Sequence, residues 1–195
     1  MPRAHARPLV RALPAARRGL NGAAMIPTAT YRLQLTKDFG FEAAARIAPY
    51  LQTLGISHVY CSPYLKARPG SQHGYDIVDH AELNPELGDE VAFSYFTAAL
   101  RAHGLRQILD FVPNHMGVFG ADNPLWLETL EWGPDAPHAG WFDIEWDPER
   151  RYLHDKVLVP LLGDQYGIEL ERGVLRLKFD PEEGSFAVWA YDTHK

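Results

Sequence analysis

A group of hydrogen-bonding side chains lies between Asp110 and His115, directly after an apolar segment. Ile108 and Leu109 in that segment are typical of a strand that is covered on both faces. Asp110, Asn114 and His115 follow where the strand should end. Because ligands lie at the carboxyl ends of parallel strands, a carboxylate, an amide and an imidazole at this position could hold a polar ligand through hydrogen bonds.

A second group of polar and aromatic side chains follows an earlier apolar segment, residues 56–61. The loop after that segment contains His73, Gly74, Tyr75 and Asp76 in succession. Two successive strands would therefore deliver polar and aromatic groups to one rim, where an aromatic face and hydrogen-bonding groups could act on the same ligand.

Alternating elements are predicted upstream of Asp110, and their order is strand, helix, strand, helix, strand. They are a strand at Thr30–Leu35, a helix at Phe41–Leu54, a strand at Ile56–Cys61, a helix from its cap Asp89 to Ala102, and a strand from Arg106. Pro49 predicts a kink or a late start in the first helix, and Gly55 is a plausible end for it. This order means parallel strands with right-handed crossovers, and by itself it fits a barrel or a doubly wound sheet.

The segment between the second strand and the second helix, residues 62–88, is punctuated by Pro and Gly and predicts a long loop that is functional or disordered. The amino-acid composition changes after Met116, since all five Trp lie in the remainder of the chain. Residues 168–170 and 174–179 flank a turn and predict a hairpin, and residues 185–191 predict another strand.

The charge of the chain is uneven. The first 24 residues hold five Arg and no acidic residue, whereas the rest carries 14 basic and 25 acidic side chains, and the formal net charge is −6. An acidic body argues against a nucleic-acid partner, because phosphates favour Lys and Arg. Residues 1–24 predict a basic, disordered extension or a start-site artefact ahead of Met25, with a basic contact arm as the alternative.

Two further features bound the class of protein. Cys61 is the single cysteine, which excludes an internal disulfide and fits a cytoplasmic location. It lies in an apolar strand, so we expect it to be structural and not a nucleophile. No apolar run approaches about 18 residues, so we expect no membrane contact through a spanning helix.

Two motifs resemble the signatures of the α-amylase superfamily of glycoside-active enzymes (glycoside hydrolase family 13). Residues 110–115 (DFVPNH) are similar to its first signature, and residues 73–76 (HGYD) are similar to its sugar-ring platform. Three segments are similar to the trehalose-forming branch of that superfamily, the maltooligosyl trehalose synthases. They are TATYRLQL, CSPYLKARPGSQHGYDIVDH and LNPELG. The resemblance runs from about Thr28 to the end of the chain.

The resemblance implies an α/β fold that holds the first three β/α units of a TIM (β/α)8 barrel. Residues 25–116 would form the N-terminal part of that catalytic barrel, and residues 117–195 would form an incomplete, irregular or β-rich domain inserted after the third strand. A complete barrel takes about 250 residues, so a chain of 195 residues would be a truncated one.

The implied activity is that of an intramolecular transglucosylase, an isomerase that converts the reducing-end α-1,4 bond of a maltooligosaccharide into an α,α-1,1 bond. In that family Tyr75 would stack on a glucose ring, while Asp76 and His115 would bind its hydroxyl groups. No cofactor, metal or nucleic acid is implied, and the oligomeric state stays open.

Three residues would support the site without touching the reacting bond: His73, Asp110 and Asn114. In the family Asp110 pairs with an Arg of the nucleophile motif. That motif and the acid/base motif do not occur in this sequence, so we expect no catalytic residue in the chain, no turnover by it, and an Asp110 without its partner. A buried, unpaired carboxylate tends to take up a proton.

Other acidic clusters are weaker candidates. Asp180 and the alternating Asp143, Glu145 and Asp147 lie in segments that predict a hairpin and an exposed edge. Two other functions remain open: a fragment of an α-amylase-type hydrolase, which shares both motifs, and a non-catalytic protein that binds maltooligosaccharides.

Overall fold

The structure is a computed structural model that describes residues 26–118, 120–182, 184–191 and 193–194. The basic extension expected at residues 1–24 lies outside the described residues. None of the helices in the described part of the chain is long and apolar enough to cross a membrane.

The described chain contains eight strands and five α-helices. In chain order they are β1 (Thr30–Leu33), α1 (Phe41–Arg46), α2 (Ala48–Thr53), β2 (His58–Cys61), β3 (Leu65–Ala67), β4 (Ile77–Leu83), α3 (Glu90–Ala102), β5 (Arg106–Leu109), α4 (Pro124–Trp132), α5 (Tyr166–Glu171), β6 (Leu175–Asp180), β7 (Ser185–Ala190) and β8 (Thr193–His194).

One three-stranded sheet of the described chain has the strand order β1-β2-β5. Both strand pairs are parallel, as the alternation of strands and helices predicts. The register places Arg32 beside Tyr60 and Tyr60 beside Ile108. Since side chains alternate along a strand, these three project from the same face of the sheet, and Asp110 continues that face beyond the end of β5.

The opposite face of the sheet packs against helices α1 to α3. Phe41 and Phe96 are fully buried there, and the Phe41 ring contacts the ring of Tyr64 edge-on at a centroid distance of 5.3 Å. Val59 and Cys61 of β2 join the same buried cluster. This core fixes the parallel strands and therefore the positions at which their carboxyl ends emerge.

The residues predicted to begin, interrupt or end the two helices are confirmed in these roles. The segment 41–54 divides into α1 and α2, and Pro49 occupies the first turn of α2, where a missing N–H costs nothing. Gly55 follows with a positive φ of 81°. Asp89 caps α3, because its side chain accepts a hydrogen bond of 2.8 Å from the backbone N–H of Ala92.

Two predictions are wrong in this structure. The segment 62–88 is not a long irregular loop, because β3 and β4 pair in it as an antiparallel ribbon. Residues 168–170 belong to helix α5 and not to a hairpin strand, and Gly173 follows the end of that helix with a φ of 69°. The hairpin in this region joins β6 to β7 instead, with Phe179 opposite Phe186.

Strand β5 is less covered than the sequence predicts. Its residue Leu109 is 43% exposed, and the following Phe111 is 52% exposed. Within the described sheet β5 is an edge strand that pairs with β2, so the end of β5 and the segment after it are open to solvent.

Candidate functional site

Four side chains converge at the carboxyl ends of β1, β2 and β5, and we call them the Asp110 cluster: Arg32, Tyr60, Tyr75 and Asp110. One oxygen of Asp110, Oδ2, accepts a hydrogen bond of 2.9 Å from Nη1 of Arg32 and one of 3.1 Å from the hydroxyl of Tyr60. It also accepts a hydrogen bond from the hydroxyl of Tyr75. The Arg32 guanidinium donates to the Tyr75 hydroxyl at 2.9 Å and lies 4.5 Å from the centre of the Tyr60 ring.

These contacts keep Asp110 ionised. The hydrogen bond from Tyr75 lowers the pKa of the Asp110 carboxyl, and the hydrogen bonds from Arg32 and Tyr60 act in the same direction against the opposing effect of burial. The Asp110 side chain is only 18% exposed. The rim therefore holds a fixed negative charge beside a fixed positive one.

The expectation that Asp110 lacks a partner is wrong. Its partner is Arg32, which comes from β1 and lies 78 residues away in sequence. Sequence reasoning missed Arg32 and Tyr60, although the alternation of TYRLQL places Arg32 on the face opposite the buried Leu33. That alternation could have indicated a rim residue, but not which carboxylate it meets.

The loop that carries Tyr75 is tied to β1 and to itself. The side-chain amide of Gln34 donates to the carbonyl oxygens of Gln72 and His73, at 3.3 Å each. The Ser71 hydroxyl donates to Oδ1 of Asp76 at 2.5 Å and accepts the backbone N–H of Gly74 at 3.0 Å. The loop therefore holds Tyr75 over the strand ends.

Gly74 is required by the geometry of this loop. Its φ is 77°, a conformation that side chains rarely adopt, and a Cβ atom there would lie 3.3 Å from the carbonyl oxygen of Pro63. The chain bends at Gly74, between His73 and Tyr75, and the rings of these two residues stack at a centroid distance of 5.9 Å and an angle of 23°. One face of the Tyr75 ring is thus directed at His73.

His115 and Asn114 lie apart from the Asp110 cluster. Both are exposed, and a hydrogen bond of 3.1 Å joins Nδ1 of His115 to Oδ1 of Asn114. They line a surface cleft to which Tyr75 and Asp76 do not contribute. No hydrogen bond or ion pair joins His115 to Tyr75 or Asp76 in the described residues. That these three residues bind one sugar ring together therefore stays a prediction.

Asp76 is partly engaged. Its Oδ1 accepts from Ser71, and His73 Nδ1 is 3.8 Å from the same oxygen. Within the described chain no hydrogen bond reaches Oδ2 of Asp76, and the side chain is 29% exposed. Asp76 can therefore still accept a hydrogen bond from a ligand hydroxyl.

The arrangement suits recognition of a neutral, hydroxyl-rich ligand. Within the Asp110 cluster the positive charge of Arg32 offsets the negative charge of Asp110. Tyr75 supplies an aromatic face, and hydrogen bonds hold its hydroxyl group in place. Cys61 below the rim is buried, which raises the pKa of its thiol to about 11 and leaves it protonated at neutral pH. Within the described residues no group of three or more His, Cys, Asp or Glu side chains could hold a metal ion.

The chain matches known proteins along most of its length. The family model "Alpha amylase, catalytic domain" matches residues 45–160. A Mycobacterium tuberculosis protein assigned as maltooligosyl trehalose synthase is 38% identical over 158 residues, which cover 76% of this chain and 20% of that protein. The intracellular maltogenic amylase of Bacillus subtilis is 33% identical over 95 residues, 49% of this chain and 15% of that protein.

A solved structure shows the same folding of the chain. The maltooligosyltrehalose synthase from Arthrobacter ramosus superposes with a TM-score of 0.75 and 34% sequence identity, covering 86% of this chain and 21% of that one. The chain belongs to the alpha-amylase family. Within it the predicted resemblance to maltooligosyl trehalose synthases is confirmed, and the chain spans about a fifth of the length of these relatives.

Proposed function

We propose that this chain is the N-terminal part of a trehalose-forming transglucosylase that acts on maltooligosaccharides. The observation that carries this proposal is the extent of the similarity. The sequence match to the Mycobacterium tuberculosis maltooligosyl trehalose synthase covers 76% of the chain, whereas the sequence match to the Bacillus subtilis maltogenic amylase covers 49%. The sequence likeness to the trehalose-forming enzyme thus extends over more of the chain than the likeness to this amylase does.

In this proposal β1, β2 and β5 are the first three strands of a (β/α)8 barrel. Their shared face carries Arg32, Tyr60 and Ile108, and it would face the barrel interior. Residues 25–116 would belong to the barrel, and residues 117–195 would begin the domain inserted after its third strand. The rim with the Asp110 cluster would then be the mouth of the barrel, where such enzymes bind their substrates.

The substrate would be a maltooligosaccharide whose reducing-end bond changes from α-1,4 to α,α-1,1. One face of the Tyr75 ring lies against His73, so a glucose ring would stack on the opposite face. Oδ2 of Asp76 would accept a sugar hydroxyl, and His115 would hydrogen-bond to another. Arg32 and Tyr60 would not touch the sugar; they would hold the Asp110 carboxylate and the Tyr75 hydroxyl in place.

The chain would bind sugar but not convert it. A retaining transfer needs a nucleophilic carboxylate and an acid/base carboxyl about 5 Å apart, and the sequence offers neither motif of the family for these roles. No cofactor or metal enters this scheme. A cytoplasmic location is part of the proposal and rests on the single, buried cysteine.

A chimera tests the assignment. Residues 26–195 would replace the corresponding segment of the Arthrobacter ramosus synthase, and the product would be incubated with maltopentaose. We expect reducing ends to disappear without release of glucose, because the α,α-1,1 bond joins two anomeric carbons. The isolated chain should change nothing in the same assay.

The matched control is the same chimera with Tyr75→Ala, which should convert maltopentaose more slowly. An increase in reducing ends with the chimera would identify the hydrolase alternative instead. Conversion of maltopentaose by the isolated chain would contradict the proposal that this chain lacks both the nucleophilic carboxylate and the acid/base carboxyl.

A further inference from the structure

A cleft of about 730 Å³ opens at the amino ends of β2 and β5, the ends of these strands that lie away from the Asp110 cluster. This volume lies within the range of about 300–1,000 Å³ that small-molecule sites have. The basic side chains that line the cleft are those of His58, Arg101 and Arg106, which come from β2, α3 and β5. The proposed sugar site uses none of these residues.

Two of the three basic groups are cations without a partner. In the part of the chain that the structure describes, neither the Arg101 nor the Arg106 guanidinium forms a hydrogen bond or an ion pair. No Asp or Glu belongs to the described lining of the cleft. The chain after residue 24 carries 25 acidic and 14 basic side chains, so two unpaired arginines in one cleft do not reflect a shortage of carboxylates.

The turn between α3 and β5 brings these groups together. The backbone N–H of Gly104 donates to the carbonyl oxygen of Arg101 at 3.1 Å, and Gly104 has the positive φ of 67° that reverses the chain there. Two residues later, Arg106 is the register partner of His58 in the parallel pair of β5 with β2. Because partners in neighbouring strands project from the same face of a sheet, the imidazole and the Arg106 guanidinium are neighbours.

His58 is the buried member of the group and is 5% exposed. Its Nδ1 lies 3.0 Å from Oγ of Ser57, and that hydroxyl donates its own proton to the carbonyl oxygen of Ala29 at 2.9 Å. Nδ1 is therefore the donor in this contact. Within the described chain Nε2 of His58 forms no hydrogen bond, so this nitrogen is left to share a proton with a ligand in the cleft.

The chemistry of these groups defines an anionic ligand with several acceptor oxygens. A guanidinium group presents its N–H donors in a planar fork that matches the oxygens of a phosphate. A phosphate monoester has a second pKa of about 6, so it can hold or release a proton in the contact with Nε2 of His58. A neutral sugar would leave two positive charges without a counter-charge.

We propose that this cleft binds a phosphate group, with Arg101 and Arg106 as its charged ligands and His58 as a proton-sharing one. The phosphate group belongs either to the free ion or to a phosphorylated small molecule, and both have the same chemistry at these three side chains. The site does not depend on the proposed function, because it lies at the opposite ends of the strands from the Asp110 cluster.

The test is isothermal titration of the 195-residue chain with inorganic phosphate and with glucose 6-phosphate, at constant ionic strength. Arg101→Gln and Arg106→Gln should each raise the Kd roughly five- to tenfold, because each removes a charge-assisted contact. The matched control is Arg151→Gln. Arg151 is also exposed and forms no ion pair within the described residues, but it does not line the cleft, so this variant should leave the Kd unchanged.

A second readout needs no variant. The imidazole signals of His58 in the nitrogen-15 spectrum should shift with saturation as phosphate is added at fixed pH. Those of His154, which pairs with Asp147 outside the cleft, should not shift. This comparison does not depend on how a substitution affects folding.

The two probes separate the two sources of the phosphate group. Tighter binding of glucose 6-phosphate, weakened by both cleft variants, supports a phosphorylated small molecule as the ligand, and tighter binding of inorganic phosphate with the same dependence supports the free ion. The proposal is overturned if neither probe binds at millimolar concentration, or if Arg151→Gln weakens binding as much as the cleft variants do. Neither of these results bears on maltooligosaccharide binding, so the proposed function would stand.

Discussion

Replacing Asp110 with Asn removes the negative charge at which three side chains meet, and it keeps the shape of the residue. Asn retains a carbonyl oxygen that can accept one or two of the hydrogen bonds from Arg32, Tyr60 and Tyr75. The change therefore isolates the contribution of the Asp110 charge to the free energy of unfolding, with little change in packing.

The magnitude follows from the exposure of the partners. A hydrogen bond to a charged group contributes roughly 1.5–3 kcal/mol to stability, whereas an exposed ion pair contributes roughly 0.2–1 kcal/mol. The Asp110 side chain is 18% exposed and that of Arg32 is 35% exposed, so the pair lies between these limits. We expect Asp110→Asn to lower the free energy of unfolding by about 1–2 kcal/mol at pH 7.

The effect should depend on pH with a defined sign. The pKa of Asp110 is lowered in the folded chain, and that of an unfolded Asp is about 3.9. The stabilisation is therefore fully present above the unfolded value and is lost as the pH falls through the lower, folded value. Urea unfolding followed by Trp fluorescence, at a series of pH values from 7 to 3, measures the difference between wild type and variant.

The matched control is Asp38→Asn, because Asp38 is exposed and forms no ion pair within the described residues. That variant should unfold like the wild type at each pH. A difference between wild type and Asp110→Asn that stays constant down to pH 3, or one that grows as the pH falls, would refute the argument that the Asp110 charge stabilises the rim.

Two other changes test the loop and the core. Gly74→Ala should lower the free energy of unfolding by about 1 kcal/mol or more, because a positive φ strains a residue with a Cβ. The control is Gly70→Ala, since Gly70 also has a positive φ but its Cβ would meet nothing. If Gly74→Ala has a lower Tm than Gly70→Ala, the difference measures the crowding against Pro63 and not the backbone strain. Cys61, buried with its pKa raised to about 11, should resist a thiol reagent at pH 7 until urea unfolds the chain; prompt labelling in buffer would show that the core around it opens.

The parallel sheet could be predicted because its signals are local. The cap at Asp89, the break before Pro49 and the alternation of strands with helices each act within a few residues. Those signals fix which ends of the strands share a rim, and so they place Asp110 at the carboxyl end of β5.

The rest depended on contacts between distant residues. Arg32 meets Asp110 across 78 residues, and the sequence does not state that pairing. Gly173, with its positive φ, suits the end of a helix as well as a hairpin turn, and the buried Glu169, which accepts hydrogen bonds from Arg172 and Tyr191, favours the helix. The missed ribbon of β3 and β4 likewise pairs residues with register shifts that no simple alternation predicts.

The central claim is that the rim formed after β2 and β5 binds an α-glucan through Tyr75 and His115. Isothermal titration of maltopentaose into the wild-type chain, Tyr75→Ala and His115→Ala tests it most directly, with Tyr50→Ala as a control because Tyr50 is 59% exposed on α2. We predict that the wild type and the Tyr50 variant bind with equal affinity and that both rim variants bind more weakly. Unchanged affinity in Tyr75→Ala and His115→Ala, or no binding by the wild type, would contradict the account.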